Sequence, residues 1–167
     1  MEIIEEARAF LKASGSDQWQ GSYPAESHIF DDVLMTRGWV GLIDGKIVSY
    51  AAVIIGQEEA YEKIYDGKWQ HNHPRYTVFH RIAVASDYSG QKVAQTFLQG
   101  LIEAHDGPDF RCDTHEKNTI MQHILEKLGY AYCGKIPLDG ERLAYQKIKR
   151  KSEKAYYQEV AELAALD

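Results

Sequence analysis

The chain of 167 residues lacks most of the features that would remove it from the ordinary globular class. It has only two cysteines, Cys112 and Cys133, so no disulfide framework is built into it. Both lie within apolar segments, where a free thiol behaves as a small hydrophobe. No apolar run approaches the ~20 residues of a transmembrane helix, no N-terminal leader pattern stands out, and a reducing cytoplasmic setting is expected, with no membrane as partner. Basic residues are in deficit: 19 Lys and Arg against 25 Asp and Glu leave a net charge of −6. The run "KIKRK" at 147–151 reads as a solvated strand end, so nucleic acid is not expected as a partner. Internal repeats and low-complexity tracts are lacking too.

What remains is one domain's worth of chain with enough apolar content, 44%, to bury a core. "EIIEEARAFLKASG" puts Ile3, Ile4, Ala7, Phe10 and Leu11 on a helical stripe that ends at Gly15. A turn-rich loop with Trp19 and Tyr23 leads to a second short helix, "AESHIFDDVLMTRG", with Gly38 as its expected cap. "WVGLIDGKIVSYAAVII" is a hairpin turning at Asp44-Gly45, the pair suited to a type I′ turn. Residues 56–74 form a polar, aromatic excursion, and "RYTVFHRIAVA" returns as a strand predicted to place Tyr76, Val78, His80, Ile82 and Val84 on one face. A helix from Gln91 to Ala104, a short strand "DFRCDT", a helix between Asn118 and Gly129, and a hairpin turning near Asp139-Gly140 follow. Residues 1–148 read as the domain and 149–167 as a C-terminal helical tail with a thin apolar stripe.

The stretch "VASDYSGQKVAQTFLQGL" carries chemistry. A strand passes through a small polar turn directly into an amphipathic helix, so the first N–H groups of that helix have no carbonyls before them. Such a helix start attracts anions, phosphates above all.

This order of elements, over residues 39–148, resembles the GCN5-related N-acetyltransferases, and is similar to an uncharacterised bacterial branch of them. The family's acetyl-CoA motif, Gln/Arg-x-x-Gly-x-Gly/Ala, falls on residues 88–94: Gly90 and Ala94 match, while Ser89 stands for Arg/Gln and Lys92 for the middle Gly. "NTIMQHILEKLGY" resembles the family's Asn-x-x-Ala-x-x-x-Tyr-Glu-Lys-x-Gly-Phe helix through Asn118, Glu126, Lys127, Gly129 and Tyr130. Leu125 occupies the place of the tyrosine that in many members protonates the departing thiolate.

The resemblance implies an α/β (α+β) fold, a mixed, mostly antiparallel central sheet flanked by helices, here without the family's first strand. It implies an acetyl-CoA-dependent N-acetyltransferase domain over 1–148, with acetyl-CoA as co-substrate, an amine acceptor, direct attack in a ternary complex, and no metal; a homodimer is left open. Ile82, Ala83 and Val84 would meet the thioester and pantetheine, and Ser89, Gly90, Gln91, Lys92, Val93 and Ala94 the pyrophosphate, with Asn118 nearby. The amine must lose a proton, for which His80 and His115 lead, followed by Glu59, with Asp113 beside His115 and Glu58 beside Glu59. Trp19, Tyr23, Tyr61 and Trp69 are candidate acceptor walls.

Other readings stand beside these. Each histidine is equally well a hydrogen-bonded structural residue, "DTH" a capped turn, and the loop aromatics pins for the loop. A metal site from His71 and His73 with His80 and His115 lacks a carboxylate or thiolate at zinc spacing. A dinucleotide fold would need its glycine-rich turn after the first strand. Leu125 also fits a non-catalytic acetyl-CoA sensor.

Overall fold

A computed structural model describes residues 1–150, so the tail beyond 150 lies outside the described residues. The alternating apolar runs assemble into one six-stranded sheet. Strands β1 (Gly38–Ile43) and β2 (Lys46–Gly56) are antiparallel, joined through Asp44 and Gly45, both at positive φ as the short turn requires. Next come β3 (Tyr76–Val84), β4 (Asp109–Thr114), β5 (Ala131–Pro137) and β6 (Glu141–Ile148), in the sheet order β1-β2-β3-β4-β6-β5. Among the described residues only the β3–β4 pair is parallel. No strand precedes the first helix among the described residues.

Among the described residues, helices α1 (Glu2–Ala13), α2 (Glu26–Leu34), α3 (Glu59–Glu62), α4 (Val93–Ala104) and α5 (Thr119–Lys127) cover the sheet. None is long and apolar enough to cross a membrane. The apolar faces of α4 and α5 bury Leu98, Leu101, Ile102 and Leu125 against Ala51, Val53, Phe79 and Phe110. Each fully buried side chain of this size contributes about 1.5–3 kcal/mol. On the other face α1 packs Ile4 and Leu11 with Trp19, Tyr50 and Ala83, and the excursion packs Tyr61 and Trp69 with Tyr76, Val78 and Ile136.

Several expectations change in detail. The excursion holds a helical turn, α3, in place of plain loop. Helix α2 ends before Gly38: Thr36 takes the left-handed position, and the amides of Thr36 and Arg37 donate to Val33 and Asp32, closing a Schellman motif. Helix α4 begins at Val93 rather than Gln91, because Gly90 (φ 75°) and Lys92 (φ 60°) are left-handed. The even-numbered face of β3 is also interrupted. Tyr50 pairs with Ala83 but Ala52 with His80, so β3 carries one extra residue there, and Arg81 has φ 53°. This is a β-bulge, and it reverses the alternation after His80. Ile82 therefore joins Phe79 on the α4–α5 side, while Tyr76 and Val78 pack with the excursion.

Candidate active site

Strands β3 and β4 pair only at Thr77–Phe110 and Val78–Arg111. Past these residues the strands separate, and a cavity of about 810 Å³ opens between them. On one face it is bounded by the start of α4 and by Asn118, Ile124 and Lys127; on the other by Phe10 and Leu11 of α1, Trp19, Tyr23 and Glu58. The β3 segment from Phe79 to Val84 runs along it, so the cavity communicates with both faces of the sheet.

At the α4 end, the first helical hydrogen bond runs from Thr96 N–H to the Lys92 carbonyl. The N–H groups of Val93, Ala94 and Gln95 are therefore the free donors of a helix start, and those of Gly90 and Lys92 also meet no acceptor among the described residues. A Cβ on Gly90 would touch nothing within 4 Å, so its left-handed φ rather than crowding calls for glycine there. These donors suit a polyphosphate. Two expected contributors differ: the Ser89 amide donates to Ser86, and the Gln91 amide donates to Tyr88 while its side chain donates to the Asp87 carbonyl. Ser89 lines the cavity through its other atoms and Gln91 does not line it, whereas Gln95 does. Asn118 lines the cavity too, but its side chain accepts from the Met121 amide as the cap of α5.

At the opposite end lies a cluster of ionisable groups. His80 Nε2 is 2.8 and 2.9 Å from the two carboxylate oxygens of Glu58, so this nitrogen carries the proton and donates. His80 Nδ1 points toward Asp113, 3.9 Å from Oδ1, and the same Oδ1 accepts from the Tyr61 hydroxyl at 2.6 Å. The side chains of His80 and Asp113 are 10% and 8% exposed and that of Glu58 is 24% exposed, so Glu58 is the member most open to the cavity. Burial raises the pKa of Asp113, opposed by the His80 charge, the Tyr61 hydrogen bond and the Arg142 charge. Burial, with Asp113 close by, holds the Tyr61 phenol well above its usual range.

The remaining expected residues separate cleanly. Ile82, Ala83, Val84, Gly90, Lys92, Val93 and Ala94 line the cavity, as do Trp19 and Tyr23. His115 does not: its Nε2 is 3.0 Å from Asp17, and its Nδ1 accepts from the Lys117 amide. Glu59 is solvent-facing and paired with Lys63, so its neighbour Glu58, the residue capping α3, is the carboxylate over the cleft. Tyr61 and Trp69 are not cavity walls. They stack in parallel at 5.7 Å, with Trp69 over the Arg111 guanidinium, and support Asp113 from behind. Leu125 is fully buried in the main core, and Ile124 faces the cavity in its place. Tyr130 is buried and Tyr132 is exposed on β5; neither lines the cavity. His71 and His73 stack on each other, and His73 meets Asp109 outside the cavity.

Two arginines on the cavity wall were not anticipated. Arg81, turned by the bulge, makes a two-pronged pair with Asp32 (2.6 and 2.8 Å) and donates to the Tyr23 hydroxyl at 2.7 Å; Tyr50 donates to the same carboxylate. A charge inside the apolar run "VFHRIAV" was the available signal. Arg142 of β6 is the other.

The model of the acetyltransferase (GNAT) family matches residues 4–130. A solved acetyltransferase of the GNAT family from Streptococcus agalactiae is 63% identical, with a TM-score of 0.87 over 89% of this chain and 87% of that one. An acetyltransferase of the GNAT family from Listeria monocytogenes (20% identical, TM-score 0.63, 88% of this chain and 85% of that one) shares the fold. So does a ribosomal-protein-alanine N-acetyltransferase from Brucella melitensis (17%, TM-score 0.58, 87% and 96%). No curated protein matches the sequence.

Proposed function

We propose, from the premise that this chain belongs to the GNAT acetyltransferase family, that it moves an acetyl group from acetyl-CoA to a primary amine by direct attack in a ternary complex. The observation that supports this reading best is the cavity itself, with free helix-start donors at one end and a Glu58–His80–Asp113 cluster at the other. Acetyl-CoA supplies an activated thioester. The amides of Gly90, Lys92, Val93, Ala94 and Gln95 would hold its pyrophosphate, and the Ile82–Val84 segment would run beside its pantetheine arm.

The amine arrives as an ammonium ion at neutral pH and must lose a proton before it attacks. Glu58 and His80 share a hydrogen bond and act as one proton-accepting unit: Glu58 faces the cavity, and the Nε2–H of His80 holds its carboxylate. The proton from the amine ends on Glu58, His80 Nε2–H continues to hold the carboxyl group, and Asp113, fixed by Tyr61, stands on the Nδ1 side of the ring. Nitrogen then bonds to the acetyl carbon, the C–S bond breaks, and the thiolate leaves. A thiol of pKa ~8.5 departs without a dedicated acid, which accommodates Leu125.

His80→Gln and Glu58→Gln should each lower kcat/KM on a responsive amine by roughly 10²-fold, and the double variant by little more than the worse single one. His115→Gln and Glu59→Gln should change it less than about twofold. A wild-type-like His80→Gln, assayed by thiol release across an amine panel, would remove the proton-accepting role. Leu125 in the core, with no tyrosine of α5 on the cavity, favours one other reading, a non-catalytic acetyl-CoA-binding module. Tight CoA binding without acetylation of any amine would favour that alternative.

A further inference from the structure

The acceptor end of the cavity holds a cation that the protein leaves under-used. Arg142 is buried, its side chain 7% exposed, and lines the cavity. Its hydrogen-bond partners among the described residues are the Glu141 backbone carbonyl at 3.1 Å and the Asp139 carboxylate at 3.4 Å. Asp139 is 77% exposed, and an ion pair of that length with a solvated partner contributes little. Arg81 shows what a satisfied guanidinium looks like on the same wall: both Asp32 oxygens and the Tyr23 hydroxyl are spent on it. A guanidinium has five N–H donors in a rigid fork, and a buried one with donors to spare is suited to a planar anion.

The sheet register shows which way this cation faces. Asp113 is opposite Ala144, and the alternation along β6 puts Arg142 on the same face as Ala144, hence on the side of Asp113 and of the cluster that would receive the amine. Ile136, opposite Arg142 on β5, packs with Ala144 in that same layer. The cavity thus sets a cation with donors to spare on the same side as a pair of carboxylates. Trp19, Ile54 and Leu138 supply apolar wall around them.

Resting on the acetyl-transfer reading above, we infer that the acceptor is a small zwitterion, a free α-amino acid, whose amine meets Glu58 and His80 and whose carboxylate takes the Arg142 guanidinium. A polyamine fits poorly, since its second ammonium would meet Arg142, and Asp32 is already consumed by Arg81. A protein N-terminus has an amide where this site asks for an anion.

The experiment uses matched pairs: the proteinogenic L-amino acids, each beside the amine left by its decarboxylation, with acetyl-CoA as donor. Losing a buried, hydrogen-bonded charge pair costs 2–5 kcal/mol, so the best amino acid should exceed its amine in kcat/KM by at least about 30-fold. Arg142→Gln should bring that ratio near one by raising KM for the amino acid alone. CoA-induced thermal stabilisation should persist in the variant. A wild type that prefers the amines, or an Arg142→Gln variant that slows both members of each pair equally, would overturn the inference. Binding of the same pairs to the CoA complex, by calorimetry, decides the matter for a protein that turns nothing over. An Arg142-dependent preference for the amino acid then supports the zwitterion site and counts against acetyl transfer alone, whereas equal binding overturns the site.

Discussion

Asp113 is held where a carboxylate is least comfortable, buried between Tyr61 and His80, and its raised pKa records the cost of keeping it charged there. The folded chain holds a proton on Asp113 more readily than the unfolded chain does. Stability from this group is therefore lost as pH climbs from the ordinary value of 3.8 to the raised folded one, and the burial cost is present in full above that window. Asp113→Asn removes the cost and keeps an oxygen for the Tyr61 hydroxyl to donate to. Its urea midpoint at pH 7 should equal or exceed the wild type's while kcat/KM falls by about tenfold or more. A lower midpoint would mean that the charge stabilises the fold. At this scale the sequence was partly legible. His80 and Asp113 stand out as titratable residues in apolar strands. Glu58 and Glu59 are indistinguishable until the one-turn α3 forms, because only then does the extended residue capping it point at His80 while the next one faces solvent.

Among the elements, β3 did most to defeat pattern reading. Strict alternation would set His80 and Ile82 on one face, but the extra residue at the bulge sends Ile82 to the helical side and leaves Arg81 beside Asp32. Nothing in a run of residue types announces a left-handed arginine, because the pair that holds it joins positions 49 apart in the chain. Hairpins and caps were legible for the opposite reason: Asp44-Gly45, Asn118 and Gly129 act through neighbours within a few residues. Asp32 is almost completely buried and is shared by Arg81 and Tyr50, so Asp32→Ala leaves an unpaired cation in the strand. Chemical denaturation should show a loss of about 3–5 kcal/mol, and a loss under 1 kcal/mol would show that the bulge stands without its ion pair.

For the whole molecule, the helix-start donors tie ligand binding to global stability. If CoA binds only the folded chain, a CoA concentration 100 times its Kd adds about 2.7 kcal/mol, which for a protein of this length raises Tm by roughly 5–10 °C. Gly90→Pro cannot adopt the left-handed φ of that turn and removes one donor, so its Tm should respond to CoA weakly or not at all. An undiminished response would move the nucleotide elsewhere. The opening between β3 and β4 bears on a different property, the order of events in steady state. It is lined from both faces of the sheet, so if acetyl-CoA enters from the α4–α5 side and the amine from the other, neither would have to wait for the other to clear the passage. Double-reciprocal plots should then intersect rather than run parallel. An unreactive CoA analogue should compete with acetyl-CoA yet leave the amine free to enter and depart at any stage of the cycle.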